Sequence, residues 1–391
     1  MRRAPWAVAV LAGVAATAAA EPLRLRADAL ATTASPAGLL VLDAGGAMEP
    51  GLSAEAVVWL AGSHPLDDRP RGDVLVIAVD AHSRDATRSI RLGRFVSSLG
   101  ATRPVHVDGA AARVRLPLRL DAEVVGGVPV MPGLTTGRSA DWVLGARLAR
   151  RIGDWGSAGI AYQQRRDDGR LFSEELAVDA GAAIGARDDV AGRLAYDLAG
   201  SGLAEVGVSA SHRGRRVRAE LYATHRAASH LLPATSLFSV IGDVPAQRAG
   251  AVVTWLAAPR LDVIADAGAR RVDRDVAPDL TVRAKLRLDD RGVSALSGEL
   301  RRSGVGDEAW TGARAIARIA LPHALSASGE LELVRPDQAR GRGALWPWAL
   351  AALAWDPGAW QAAVAVEASA SPEYTRRLDA LVQVARRWGA P

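Results

Sequence analysis

The residue types that usually do chemistry are present in this chain, but their spacing assembles no catalytic or metal site. None of the seven histidines is spaced with a carboxylate as metal ligands would be. Adjacent carboxylates such as Asp167-Asp168 point to opposite faces of an extended strand, so they cannot act together as acid and base. No Gly-rich phosphate loop or Gly-x-Ser-x-Gly elbow is present, and the chain has no cysteine. The sequence therefore predicts a protein that is not an enzyme and has no metal or cofactor.

Charged residues instead follow the period of a strand with two unlike faces. Between residues 278 and 289, Leu280, Val282 and Leu286 fall on one face, while Arg283 and Arg287 fall on the other. Successive side chains of a strand point to opposite faces, so one face is apolar and the other is charged. An outer-membrane β-barrel offers both environments, with lipid outside and water inside.

The same parity predicts which charged side chains line the lumen. The strongest candidates are Arg113, Arg115, Arg119, Asp121, Glu123, Arg216, Arg218, Arg283, Lys285, Arg287, Arg314 and Arg318. Basic groups outnumber acidic ones among them, and a basic lining favours anions. The alternative is that these charges neutralise one another and only keep the wall hydrated.

Alternation and turn signals together predict an all-β fold, a single closed antiparallel transmembrane barrel of about 22 strands, within a range of 20 to 24. Links after even-numbered strands are mostly tight, such as Asp356-Pro357-Gly358. Links after odd-numbered strands are mostly longer and polar. Because such barrels have short periplasmic turns and long external loops, both termini are expected in the periplasm.

Residues 1–20 have the pattern of a secretory signal peptide. Arg2 and Arg3 precede an apolar stretch, and Ala18-Ala19-Ala20 supplies the small residues of a cleavage site. We therefore expect export, with residues 21–391 forming the barrel in the bacterial outer membrane.

The predicted link at 227–246 is unusually apolar for an external loop. It contains Leu231, Leu232, Leu237 and Phe238. Because exposed apolar patches usually mark contact surfaces, we expect this loop to fold inward and constrict the lumen, or to pack on a neighbouring subunit or another loop. A short extra element lying on the rim is the alternative.

One local pattern resembles a known class. Arg91-Leu92-Gly93-Arg94 followed by Asp108-Gly109-Ala110 is similar to a Gly-Arg strand and Asp-Gly-Ala turn of porin-like outer-membrane barrels. The resemblance implies a monomeric or trimeric pore and does not identify a permeant.

Two functions are consistent with these features. The first is a porin-like channel for passive diffusion of small hydrophilic solutes, with some preference for anions. The second is a structural barrel that sheathes or docks a periplasmic partner, such as an electron carrier or a secretion component. Outer-membrane lipid is an expected partner in both, a homo-oligomer is possible, and nucleic acid is not expected.

Overall fold

The chain forms one large sheet of 22 strands that closes on itself. The computed structural model describes residues 24–32, 37–63, 71–130, 141–227, 246–272, 275–304, 309–338, 344–370 and 376–388. In these residues no helix is long and apolar enough to cross a bilayer. The strands in chain order are β1 (Arg24–Thr32), β2 (Ala37–Glu49), β3 (Leu52–Ser63), β4 (Arg71–His82), β5 (Arg88–Ser97), β6 (Val105–Leu116), β7 (Leu120–Pro129), β8 (Trp142–Ile152), β9 (Gly156–Asp167), β10 (Arg170–Ile184), β11 (Asp188–Asp197), β12 (Gly202–Arg213), β13 (Val217–Arg226), β14 (Ala246–Ala258), β15 (Leu261–Val272), β16 (Asp275–Arg287), β17 (Ala295–Ser303), β18 (Trp310–Ala320), β19 (Leu325–Pro336), β20 (Trp346–Trp355), β21 (Trp360–Ser369) and β22 (Arg377–Trp388).

Closure comes from pairing of the first strand with the last. β1 pairs antiparallel with β22 from Leu25↔Trp388 to Thr32↔Leu381, and each strand also pairs antiparallel with its chain neighbours. A closed sheet leaves no free edge, which is how a barrel satisfies its backbone polar groups in lipid. The predicted all-β closed barrel and its 22 strands are confirmed.

Exposure alternates along the strands as the sequence pattern predicts. On β10 Leu176 and Val178 are exposed, whereas Glu175 and Ala177 are buried. Glu175 and Ala177 must therefore be covered by another segment of the protein. Buried apolar side chains of β4–β12 and the links between these strands form one cluster, which includes Phe95, Leu99 and Val105.

Several details differ from the sequence prediction. Arg119 lies in a single 3₁₀ turn, Pro117–Arg119, and Arg216 lies in the bend before β13, so both stand in links rather than on strands. Asp108, Gly109 and Ala110 are not a turn, because β6 already begins at Val105 and pairs through them with β5. The apolar segment at 227–246, apart from residues 227 and 246 themselves, and the predicted signal peptide at 1–20 lie outside the described residues.

Candidate functional site

The end of the β5–β6 hairpin leaves the barrel wall at a row of glycines. Gly93, Gly109 and Gly127 are directly paired across three strands. Gly93 has a φ of +122°, and a Cβ there would lie 2.1 Å from the carbonyl oxygen of Ile77. A Cβ on Gly109 would lie equally close, 2.1 Å, to the carbonyl oxygen of Gly126. Only glycine permits this φ and this approach of neighbouring backbones, so the row allows the sheet to bend sharply.

Beyond this bend lies the tip segment, residues 95–107, most of whose side chains are buried although it belongs to a hairpin end. Phe95 is 1% exposed, and Val105 and Val107 are each 0% exposed. Leu99 inserts into a notch on β8, where a Cβ on Gly145 would lie 2.6 Å from the Leu99 Cδ1 atom. Apolar burial of this kind contributes about 1.5–3 kcal/mol for each large side chain, so the tip segment is held firmly against the wall.

Polar contacts fix the register of the docked tip segment. The Arg103 backbone N–H donates to Glu175 Oε2 at 2.9 Å, and Gln163 Nε2 donates to the Arg103 carbonyl oxygen at 3.2 Å. The Thr102 hydroxyl lies 3.3 Å from Gln163 Oε1. Glu175 and Gln163 therefore satisfy backbone groups of the link that have no ladder partner, as buried polar groups require.

An ion pair supports the turn at the end of the segment. Arg147 on β8 donates to Asp179 on β10 with its Nη2 atom at 2.6 Å, and the pair extends over Gly159 of the strand between them. Gly100 lies directly on this pair with a φ of +57°, where a Cβ would be 2.5 Å from Asp179 Oδ2. A side chain at position 100 would separate the tip segment from the wall.

The face that receives the tip segment is the inner one. It carries Arg147, Gln163, Glu175 and Asp179, and the opposite face of the same strands carries exposed apolar residues such as Leu144. An Arg or Lys at midplane on the lipid side costs about 2–4 kcal/mol, so the charged face must be the aqueous one. The tip segment therefore lies inside the barrel, against the wall formed by β6–β12.

The tip segment is narrow relative to a barrel of 22 strands. Twenty-two strands about 4.8 Å apart and tilted by about 40° enclose a bore of roughly 40 Å between backbones. One hairpin packs in a single layer of about 10 Å against a sheet. Among the described residues, the tip segment thus forms an inward shelf on one side of a barrel that is much wider than one hairpin.

The predicted lining charges of the first half lie on neighbouring strands and form ion pairs. On β6 and β7, Arg113 lies 3.3 Å from Glu123, and Arg115 lies 3.6 Å from Asp121. Glu123 is directly paired with Arg147, so it shares the face that receives the tip segment. Arg119, in its turn, lies 3.3 Å from Asp154 of the β8–β9 turn.

Most of the predicted basic residues of the second half also have acidic neighbours. Arg283 bonds Glu299, which also bonds Arg301, and Arg287 lies 3.5 Å from Asp262. Lys285 is directly paired with Asp262 on β15. Besides Arg216 in its bend, the remaining predicted residues lie on β13 and β18: Arg218 is 4.0 Å from Glu220, Arg314 bonds Glu330, and Arg318 is paired with Ser328. That all these residues face lumenal water stays a prediction.

Sequence reasoning missed the tip segment. The residues between 96 and 110 include Leu99, Val105 and Val107, which make this stretch of sequence too apolar for a solvated loop. The segment at 227–246 carries the same signal, and only there did it lead to a predicted contact surface. The second signal was the set of glycines that pair across strands. Their pairing can be recognised only when the strand register is known.

Comparison with solved structures places the fold among outer-membrane β-barrels. No protein-family model matches the chain, and neither does any curated protein sequence. The translocation pore of the P pilus usher PapC matches with a TM-score of 0.54 and 10% identity, over 95% of this chain and 99% of that chain. A point mutant of the ferric enterobactin receptor PfeA of Pseudomonas aeruginosa matches with a TM-score of 0.58 and 8% identity, over 95% and 81% of the two chains. The copper transporter OprC matches with a TM-score of 0.58 and 13% identity, over 94% and 81%. At these identities the likeness concerns the fold alone.

Proposed function

We propose that this protein is an outer-membrane channel for passive diffusion of small hydrophilic solutes, with the tip segment as a fixed shelf in its lumen. The observation that carries the proposal is that the described residues of this closed 22-strand barrel place one in-folded hairpin inside a wall whose strand number implies a width of roughly 40 Å. The structures with a similar fold are pores, receptors and transporters. Residues 1–20 act as the export signal in this proposal, and both termini lie in the periplasm.

The proposed selectivity is a weak preference for anions. Without Arg2 and Arg3 of the proposed export signal, 46 basic and 43 acidic residues remain, a formal net charge of +3, and basic residues dominate the predicted lining. The preference is weak because carboxylates neutralise many of these groups, as Glu299 does for Arg283 and Arg301. A charged lining selects permeants through its uncompensated charge, and the excess of basic over acidic groups supplies it.

Planar bilayers containing the purified protein test both parts of this proposal. We expect discrete, large single-channel steps and, under a potassium chloride gradient, a reversal potential whose sign indicates faster chloride passage. The absence of conductance steps from correctly folded protein would contradict a diffusion channel. A reversal potential of the opposite sign would retain the channel and reject the anion preference.

The width of the bore favours a second candidate function, a barrel that encloses or docks a periplasmic protein. In this case the partner would occupy the space left free by the tip segment. Isolated protein would still conduct, and addition of the partner to the periplasmic side would abolish the conductance.

A homo-oligomer, and a further constriction by residues 231–238, remain predictions. Native mass spectrometry would test the first, and a deletion of that segment would test the second.

A further inference from the structure

Two neighbouring strands bring an arginine and two tryptophans together at the rim where the barrel closes. Trp360 begins β21, Trp388 ends β22, and Arg386 of β22 is directly paired with Trp360. The Arg386 Cζ atom lies 4.8 Å from the ring centroid of Trp360 and 4.7 Å from that of Trp388. We call these three residues the rim clamp. A cation is attracted to the negative face of an indole ring, so the two rings hold the guanidinium in place.

The rim clamp lies on the outer face of the barrel. Alternate residues of a strand share a face, and the two clamp residues of β22 have the parity of Val382 and Val384. These two valines are 48% and 40% exposed. The opposite face carries Gln383, whose Nε2 atom donates to Asp28 of β1 at 3.0 Å. The face with exposed valines is the one that meets lipid, so the rim clamp meets lipid as well.

The tryptophans place the rim clamp at the membrane interface. Trp355, the last residue of β20, is paired with Ala362, which in turn is paired with Val384, so Trp355 shares the outer face. It lies with Trp360 and Trp388 at strand ends of one rim. Tryptophan collects at headgroup depth, where its amphipathic ring is best accommodated. At this depth a lipid-facing arginine avoids most of the penalty that it would have at the midplane.

Arg386 differs from the next arginine in what its N–H groups meet. Arg387 points to the inner face and donates to both carboxylate oxygens of Asp356 at 3.2 Å. Among the described residues, Arg386 has the two ring contacts and neither a hydrogen bond nor an ion pair. Its guanidinium is a planar fork of five donors that matches the oxygens of a phosphate. The lipid side of the rim clamp therefore offers donors for an anionic head group.

Small side chains extend from the rim clamp towards the middle of the membrane. Ala27 of β1 is paired with the arginine of the rim clamp, and Ala29 is paired with Val384. On their other side the same alanines are paired with Leu42 and Leu40 of β2. Because an alanine side chain is shorter than its leucine and valine neighbours, the outer surface of β1 is a shallow channel between β2 and β22. An acyl chain fits such a channel.

We propose that the rim clamp binds the phosphate of a membrane glycerophospholipid. The Arg386 guanidinium donates to the phosphate oxygens, the indole rings keep it at headgroup depth, and an acyl chain lies along Ala27 and Ala29. Hydrogen bonds between a guanidinium and a phosphate are charge-assisted and stronger than those between neutral groups. The site requires the folded barrel but not the proposed conduction, so the two can fail separately.

Native mass spectrometry of the detergent-solubilised, folded protein tests this site. The probes are phosphatidylglycerol, phosphatidylethanolamine and a diacylglycerol of the same acyl chains, which has no phosphate. We expect both phospholipids to be retained with roughly tenfold preference over diacylglycerol, the factor that one charge-assisted hydrogen bond supplies. Equal retention of all three lipids would overturn the proposal.

Glycerol 3-phosphate distinguishes a lipid from a soluble phosphate as the ligand. It carries the phosphate but no acyl chain, so at the concentration of the lipid it should leave the retained phospholipid in place. Displacement of the phospholipid under these conditions would show that the site takes a soluble phosphate, and would overturn the assignment to a lipid.

Substitutions test whether the rim clamp is responsible. Arg386→Gln removes the cation and should reduce the preference for phospholipid to about onefold. The matched control is Arg150→Gln on β8. Arg150 is exposed, has the outer parity of Leu144, lies two residues from its strand end at the same rim, and contacts no ring among the described residues. This variant should keep the preference.

Equal losses in Arg386→Gln and Arg150→Gln would show a general attraction of phosphates to arginines of the rim, and would overturn a specific site. If Arg386→Gln fails to fold, Trp360→Leu decides the outcome, because it keeps an apolar side chain but removes one of the two rings. The preference should then fall as well. An unchanged preference in the folded variant would assign the lipid to another surface.

Discussion

The two sides of this barrel are held together differently. From β4 to β12 the inner face packs on the tip segment, and most buried apolar side chains of the described residues belong to this region. From β13 to β22 the buried residues are few, and contacts such as Arg283–Glu299 and Arg314–Glu330 join neighbouring strands instead. Within the described part of the chain, the packed core therefore lies on one side of the barrel.

This difference separates the energetic roles of the two walls. Apolar side chains such as Leu99 gain free energy because the tip segment removes them from water. Ion pairs along a hydrated wall contribute little net stability, since solvent screens them and ordering the side chains costs entropy. We therefore expect the packed wall, β4–β12, to determine stability and the open wall, β13–β22, to determine permeation.

The largest expected effect is on the packed wall. Leu99→Ala should reduce the free energy of unfolding by about 2–5 kcal/mol, because it leaves a cavity between the tip segment and β8. Leu300→Ala on β17 is the matched control, since that side chain is 62% exposed in the protein. Urea unfolding in lipid vesicles measures both variants. Equal losses for the two would show that the tip segment does not form a core.

A smaller effect is expected from filling the notch that receives Leu99. A methyl group at position 145 would lie 2.6 Å from Leu99 Cδ1, so Gly145→Ala should cost about 1–3 kcal/mol. Gly298→Ala on the open wall meets no atom within 4 Å and should be nearly neutral. Unfolding of the double variant with Leu99→Ala sharpens the test, because the cost of Gly145→Ala should then largely disappear. A cost that persists would place the strain elsewhere.

On the open wall we expect the main effect of a substitution to be on ion selectivity. Glu299→Gln removes the charge that two arginines share, so it should shift the reversal potential towards stronger chloride preference. Because the Glu299 side chain is only 3% exposed, its effect on the free energy of unfolding should be about 1–3 kcal/mol. The control is Asp290→Asn, which changes an exposed turn. A reversal potential that moves equally in both variants would contradict a lumenal position for Glu299.

The smallest effect belongs to a turn that neither wall covers. Hydrogen bonds from Ser83 and Thr87 hold the pKa of Asp85 at about 2, below its usual value. Because the folded-state pKa is depressed, this contribution is complete above the unfolded pKa and is lost as the pH falls through about 2. Thr87→Val should raise the pKa of Asp85, as measured by a carboxyl NMR titration. Ser173→Ala, outside the turn, should leave it unchanged.

The sequence was sufficient to predict the barrel but not the segment that packs inside it. Strand number and facing follow from alternation and turns, which are local, and residues 278–289 show both. The inward path of residues 95–107 depends on Gly93, Gly109 and Gly127 meeting across three strands, which no local pattern reveals. The positions of Arg119 and Arg216 were misplaced for a simpler reason, since strand ends are uncertain by a few residues.

The most direct test of a shelf that narrows the lumen is the conductance of a variant with a shortened hairpin. Residues 98–104 would be replaced by a two-residue Asn-Gly turn, which suits a tight hairpin and removes the shelf. The control shortens the link at 288–294 in the same way. We expect a larger single-channel conductance for the first variant and wild-type conductance for the second. An unchanged or smaller conductance in the folded first variant would show that the tip segment does not narrow the lumen.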